Sequence, residues 1–360
     1  MPRRSLSRTL ATAALLLLAL RTAGQKLEYD VDFVSYFDNR EYEARHQLSQ
    51  TLYGFRLSPA VGVSLRDSTG GAYRLMGGAH YLQPMGAGWR RARLIPTAYL
   101  SMQKRGFTVM LGAIPYSVRR GALPGYLRYD SLTYARPNIE GAYMRYESRH
   151  GHCEFMCDWR GMPTRDKREM FLLLLNGEFH WRWVLLGGYA QLNHKASYGE
   201  GRHEGVCDDA YLHAYAGVDL GPTVGIDSLT LRCGYVQGYQ RERESRTRYT
   251  PGGLLAELTA QWKWVGVNAS IYYGAPLMPL YAKYGNDLNQ GDPFYQSPWY
   301  GRAEIYARLY SNAFVDCHFS WSFHVDDTKR LSHQQRLVGS FCLDRLMGRA
   351  AGRLGRRLVQ

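Results

Sequence analysis

Few residues of this chain are spaced as chemistry requires. His203-Glu204-Gly205-Val206-Cys207 begins like a zinc-binding helix, in which two histidines four residues apart share one face. Here the last position is a cysteine and the surroundings are glycine-rich, so no metal site is expected. Gly199-Glu200-Gly201 opens like a nucleotide loop, but no helix pattern follows it. His318, Ser320, Ser322 and His324 share one face at a two-residue period and invite a Ser–His hydrolase. On extended chain, however, the two histidines stand ~20 Å apart. They also fall on the polar face, whereas a lipid hydrolase is expected to turn its nucleophile to lipid. The expectation is no catalytic residue, no cofactor and no metal, and therefore no enzyme.

A second set of polar residues reads as a path rather than a centre. Arg56, Arg74, Glu257, Lys263, Arg302, Glu304, Arg308, Asp316, His318 and His324 all fall on the polar side of alternating segments. Acids and bases are similar in number along that side, which suits a mixed-charge lumen for small polar or charged solutes. A salt-bridged wall is the plainer reading of the same ladder. Two long, Tyr-rich connections could narrow such a lumen. Tyr116–Pro137 carries Tyr126, Tyr129, Asp130 and Arg136, and Ala275–Tyr300 carries Tyr281, Asp292, Phe294 and Tyr295. Loops of this length are usually functional or disordered, and their aromatics argue for packing. Removing 280–296 is expected to raise conductance.

The elements that must hold these residues have period two. Leu27, Tyr29, Val31 and Phe33 alternate with Lys26, Glu28, Asp30 and Asp32. Val315, Cys317, Phe319, Trp321, Phe323 and Val325 alternate with Asp316, His318, Ser320, Ser322 and His324. Such alternation marks half-buried strands, and these runs match membrane strands of about 9–11 residues. About sixteen such segments (alternatively fourteen) fit the chain. The connections alternate between long and tight, with Asn176-Gly177 among the tight ones as a hairpin signal. That rhythm predicts an all-β transmembrane antiparallel up-and-down barrel, with short periplasmic turns and long outer loops. Backbone in hydrocarbon must satisfy itself, so a spanning sheet has to close.

The ends and the composition agree with this fold. Arg3, Arg4 and Arg8 precede the apolar stretch Leu10–Leu20, and small residues follow to Gly24. That order predicts an export signal over 1–24, a barrel over 25–343, and a basic periplasmic tail over 344–360. The six cysteines, at 153, 157, 207, 233, 317 and 342, form no disulfide framework. The net charge of +14 lies largely at the two ends, and no nucleic-acid motif accompanies it. The basic loop residues Arg90, Arg91, Arg93, Arg119, Arg120, Arg241, Arg243, Arg246 and Arg248 suit contact with lipopolysaccharide phosphates. The expected partners are outer-membrane lipid, lipopolysaccharide and the insertion machinery, with homo-oligomerisation left open.

Local signatures accompany the rhythm: Tyr36-Phe37-Asp38-Asn39-Arg40-Glu41, Arg56-Leu57-Ser58-Pro59, Tyr129-Asp130-Ser131-Leu132 and Arg136-Pro137-Asn138-Ile139. Asp208-Asp209, Pro279-Leu280-Tyr281, Gly291-Asp292-Pro293-Phe294-Tyr295 and Phe319-Ser320-Trp321 follow. Together they resemble a porin-like family of outer-membrane β-barrel proteins from Bacteroidetes, over about 25–343. The resemblance implies the barrel and the outer membrane and carries no catalytic residues. Two functions follow as expectations: a porin-like channel, or a plugged barrel whose outer loops engage surface glycan, lipopolysaccharide or a partner protein.

Overall fold

The computed structural model describes residues 25–164, 167–197 and 205–343. The expected signal segment, the basic tail, Gly199-Glu200-Gly201, His203 and Glu204 lie outside the described residues.

Among the described residues seventeen strands form one antiparallel sheet. In chain order they are β1 Gln25–Glu41, β2 Gln50–Arg66, β3 Ala72–Pro84, β4 Arg93–Lys104, β5 Phe107–Pro115, β6 Asn138–Ser148, β7 Gly151–Gly161, β8 Met170–Trp181 and β9 Val184–Lys195. Then come β10 Cys207–Asp219, β11 Ser228–Glu242, β12 Thr247–Tyr249, β13 Gly252–Trp262, β14 Val265–Gly274, β15 Trp299–Ser311, β16 Val315–Asp326 and β17 Leu331–Leu343. The three-residue β12 pairs only with β11, extending it into a loop. The remaining sixteen strands pair each with the next, and β1 pairs with both β2 and β17. Among the described residues the sixteen long strands therefore close on themselves, each with a partner on both sides.

The sidedness of the wall is the reverse of a water-soluble protein's. Leu27, Val61, Leu254 and Ile305 point outward and are more than half exposed, while Glu28, Glu304, Ser320 and His324 are buried inside. A hydrocarbon surround makes that arrangement favourable. Trp181, Trp183, Trp262 and Trp264 crowd the short-turn end, and Trp89 and Trp159 mark the other, as interfacial girdles do.

Two expectations about turns are corrected. Asn176-Gly177 is not a turn: β8 runs straight through it to Trp181, and the chain reverses at Arg182-Trp183. Asn176 points into the lumen, where its side-chain oxygen accepts from Arg119 at 3.0 Å. Gly177 lies where a Cβ would come within 2.8 Å of the His152 carbonyl. Lys263 is not a lumen residue. It occupies the β13–β14 turn with φ of 53°, exposed, its ammonium 4.8 Å from the Trp262 ring centroid. In both hairpins an exposed tryptophan stands on each side of the exposed cationic residue that takes the positive φ.

The wall is uneven in height. β1 and β2 each have 17 residues, whereas β5 has 9 and β6 has 11. The β4–β5 ladder ends at Ala98↔Ala113, so Arg93–Thr97 rise beyond it. At this low rim the chain leaves the wall at Pro115 and returns at Asn138.

Candidate functional site

Between those two points the segment 116–137 enters the lumen and meets the segment 275–298, which enters from the opposite wall. The two hold each other through the backbone: Tyr129 N–H donates to Gln290 O at 2.7 Å and Asp292 N–H to Gly125 O at 2.8 Å. Around these bonds pack Tyr126, Leu127, Leu277, Met278, Phe294 and Tyr295, all buried. Phe294 stacks on Tyr300 with centroids 4.9 Å apart. The result is a cork with its own apolar centre, across the long-loop end of the barrel.

Polar bonds tie the cork to the wall. Arg40 pairs with Asp38 at 2.6 Å, both fully buried, and donates to the Tyr129 hydroxyl. Gln47 donates to Asp292 at 2.7 Å. Burial pushes the Asp292 carboxyl up to about 6, against the hydrogen bonds from the Phe294 amide and Gln47. Arg119 descends to Glu154 at 3.1 Å and is itself buried, so this arginine is spent on the lumen rather than offered to lipopolysaccharide. Asp130 sits between Arg336, at 3.1 Å, and Arg302, at 3.7 Å. Burial would raise its carboxyl, but the two guanidinium groups outweigh that and hold it below the usual range.

Beneath the cork lies a chamber of about 600 Å³. Of the residues expected to line a solute path, Arg56, Glu257, Arg302, Glu304 and His318 reach this chamber, as do Asp130, Asp292 and Tyr295 from the cork. Arg302, Glu304 and Arg336 form one ion cluster, with Arg302 to Glu304 at 2.8 Å and Arg336 to Glu304 at 3.1 Å. Arg74 is held by Glu28 at 3.2 Å, and Arg308 and His318 sit beside Asp316 at 3.7 and 3.6 Å. Arg136 is half-buried beside the low rim. Tyr281 stands at the top of the cork, bonded to Asn286 at 3.1 Å.

The serine and histidine pairs of β16 do not work together. Ser322 donates to Glu304 at 2.9 Å, and His324 meets the Tyr300 hydroxyl at 2.7 Å between the rings of Phe294 and Tyr42. No group of three or more metal-ligating side chains occurs among the described residues. A different serine and histidine are joined. Ser58 of β2 and His80 of β3 lie opposite each other, with Oγ 2.7 Å from Nδ1. His80 Nε2 is 2.8 Å from Asn138 Oδ1, and Asn138 Nδ2 donates to the Pro96 carbonyl at 2.9 Å. Both Ser58 and His80 line the chamber. Sequence spacing could not announce them, because they lie 22 and 58 residues apart.

A family model described as lipid A 3′-O-deacylase-type matches residues 20–341. No curated protein matches the chain. Among solved structures, a loop-deletion mutant of the Vibrio cholerae outer-membrane protein OmpT is similar at 10% identity and TM-score 0.54, covering 89% of this chain and 100% of that one. Pseudomonas aeruginosa OccK2 in complex with glucuronate is similar at 11% identity and TM-score 0.51, covering 89% and 98%. P. aeruginosa OpdK with vanillate is similar at 10% identity and TM-score 0.51, covering 88% and 98%. At these identities the likeness is one of fold, that of outer-membrane barrels. The family model corrects the expectation that the chain is not an enzyme, because the family it describes is an enzyme family. That expectation rested on the missing metal and nucleotide motifs, on the separation of the β16 histidines and on a nucleophile having to face lipid, none of which excludes an enzyme family.

Proposed function

The chain belongs to the lipid A 3′-O-deacylase-type family, and from that premise we propose that it is an outer-membrane hydrolase of acyl esters on a glycolipid, with the lumen receiving the polar part of the substrate. The observation that carries this reading is the capped chamber. Its volume of about 600 Å³ falls in the range of ligand pockets, ~300–1,000 Å³, whereas a sixteen-stranded porin leaves an aqueous channel. The low rim at β5 and β6 supports the reading further, since Pro115, Tyr116 and Pro137, where the chain leaves and re-enters the wall, line the chamber. The test is to refold the protein in detergent, verify the barrel by heat-modifiable migration, and weigh purified lipid A after incubation. Loss of the mass of one ester-linked acyl chain is expected. Unchanged lipid A in the presence of folded protein overturns the reading.

A second reading, passage of small polar solutes, is favoured by one observation. The chamber lining runs down to His180, Asp219 and Ser228, at the short-turn end of the wall. Displacement of the cork would then complete a path whose walls carry both signs of charge. Single-channel recording in a planar bilayer separates the two: steady current steps from protein that leaves lipid A intact would favour passage.

A further inference from the structure

We infer that Ser58, His80 and Asn138 form a nucleophilic relay that cleaves a carboxylic ester presented in the chamber. The inference rests on the hydrolase reading above and gives it a site. It begins with a defect in the wall. The β2–β3 ladder pairs Leu57 with Tyr81 and Ala60 with Gly78 but skips the positions between. Pro59 has no N–H to contribute there, so Ser58 and His80 face each other outside the regular ladder. The register is the same on both sides of the gap, so no residue is inserted and the two side chains stay directly opposite each other.

The hydrogen-bond chain fixes the proton. Asn138 Nδ2 donates to the Pro96 carbonyl, so its Oδ1 is the atom turned to His80. His80 Nε2 must then carry the hydrogen, which leaves Nδ1 bare to accept from the Ser58 hydroxyl. That is the state a general base needs, with the amide in the orienting role that a third group plays in acyl-transfer triads. His80 is buried, at 4% exposure, while Ser58 is half-open to the chamber. The nucleophile is thus the accessible member. Arg56, two residues along the same face, also lines the chamber and pairs with Asp32 at 3.7 Å. Its buried Nε has no hydrogen-bond partner among the described residues, and a guanidinium so placed can stabilise a developing oxyanion.

In the reaction Ser58 Oγ bonds to the ester carbonyl carbon as its proton passes to His80 Nδ1. Collapse of the tetrahedral adduct breaks the ester C–O bond, and the leaving alcohol takes the proton from Nδ1. Water then adds to the acyl-serine, giving its proton to Nδ1. Ser58 leaves and recovers that proton, so one ester and one water become one acid and one alcohol.

The test uses refolded protein of verified heat-modifiability, a fluorophosphonate probe, and p-nitrophenyl esters of short acids. Phosphonylation located at Ser58 by peptide mass spectrometry is expected. Ser58→Ala and His80→Gln should each lower ester hydrolysis by about a thousandfold, and Asn138→Ala should lower it less while shifting its pH profile. A folded wild type that takes up no probe at Ser58, or a Ser58→Ala variant with undiminished ester hydrolysis, overturns the relay. The two readings fail separately. Lipid A cleavage that survives in Ser58→Ala removes the relay and leaves the hydrolase, whereas a labelled, esterolytic Ser58 with untouched lipid A keeps the relay and removes the glycolipid.

Discussion

At the short-turn end, Arg105, Arg182 and Lys263 reverse the chain with φ between 47° and 55°, and Asp67 caps its own turn by accepting from the Thr69 and Gly71 amides. At the other end, two segments far apart in sequence cross the lumen and hold each other by backbone bonds and buried aromatics. The first end is solved locally: each hairpin needs only its own few residues, and each could be exchanged alone. The second is cooperative, since Tyr129, Asp292, Gln47 and Arg40 are positioned by one another. The difference teaches where change in this molecule is tolerated. Alterations at the turns should stay where they are made, and alterations in the cork should spread.

The largest effect should come from removing the cork's second segment. Deletion of 280–296 is expected to convert a closed or faintly conducting barrel into one with severalfold larger current steps in a planar bilayer. Conductance equal to the parent's would mean that these residues close nothing. Next comes Arg40→Ala, which strands the buried Asp38 carboxylate. Breaking a buried pair in this way costs ~3–5 kcal/mol, visible as a lower temperature for loss of heat-modifiable migration. A shift no larger than a surface mutant's would show that the tie is dispensable.

A smaller effect concerns acidity. Burial holds Asp292 protonated up to about 6 in the folded protein, above the ordinary carboxylate range near 3.9. Between those values the folded form binds the extra proton, so the cork should tighten as pH falls through 6 and loosen as it rises. Hydrogen exchange over 288–296, corrected for its intrinsic rate, should show more protection at pH 5 than at pH 7.5. Asp292→Asn should flatten that difference. Smallest of all is Lys263→Gly, which relieves a left-handed φ. It should change stability by less than ~1 kcal/mol and leave cork exchange untouched. A change felt in the cork would abolish the contrast between the ends.

The wall was legible because lipid outside and water inside impose a period of two on every strand. Leu27 to Phe33 and Val315 to Val325 disclose their faces without any knowledge of their neighbours. The sixteen strands and their alternating connections follow from that pattern. The Asn176-Gly177 turn misled because a strong local hairpin signal was overruled by what Asn176 does across the lumen, with Arg119 and Glu154. Lys263 misled because the alternation runs on past the true strand end at Trp262 into the turn. The inward fate of the two long loops could be anticipated from Tyr126, Tyr129 and Phe294, but their mutual pairing could not. Ser58, His80 and Asn138 were beyond reach as a group, since only the closed wall brings three strands' residues together. Two of them nonetheless stood inside the distinctive tetrapeptides Arg56-Leu57-Ser58-Pro59 and Arg136-Pro137-Asn138-Ile139, and a proline within or beside a strand was the available hint.

The seam between β1 and β17 runs for eleven paired positions, from Val31↔Leu343 to Glu41↔His333. Its partners come from far-separated parts of the sequence, so this ladder can form only once β17 is in place, although β1 already pairs with β2. Until then β1 and the growing edge both expose unpaired backbone, which in a lipid setting is tolerable only briefly. Closure therefore depends on this one joint: a barrel lacking β17 would be an open sheet with two reactive borders, ready to pair with another copy instead of with itself. The barrel becomes a self-contained object only in its final step.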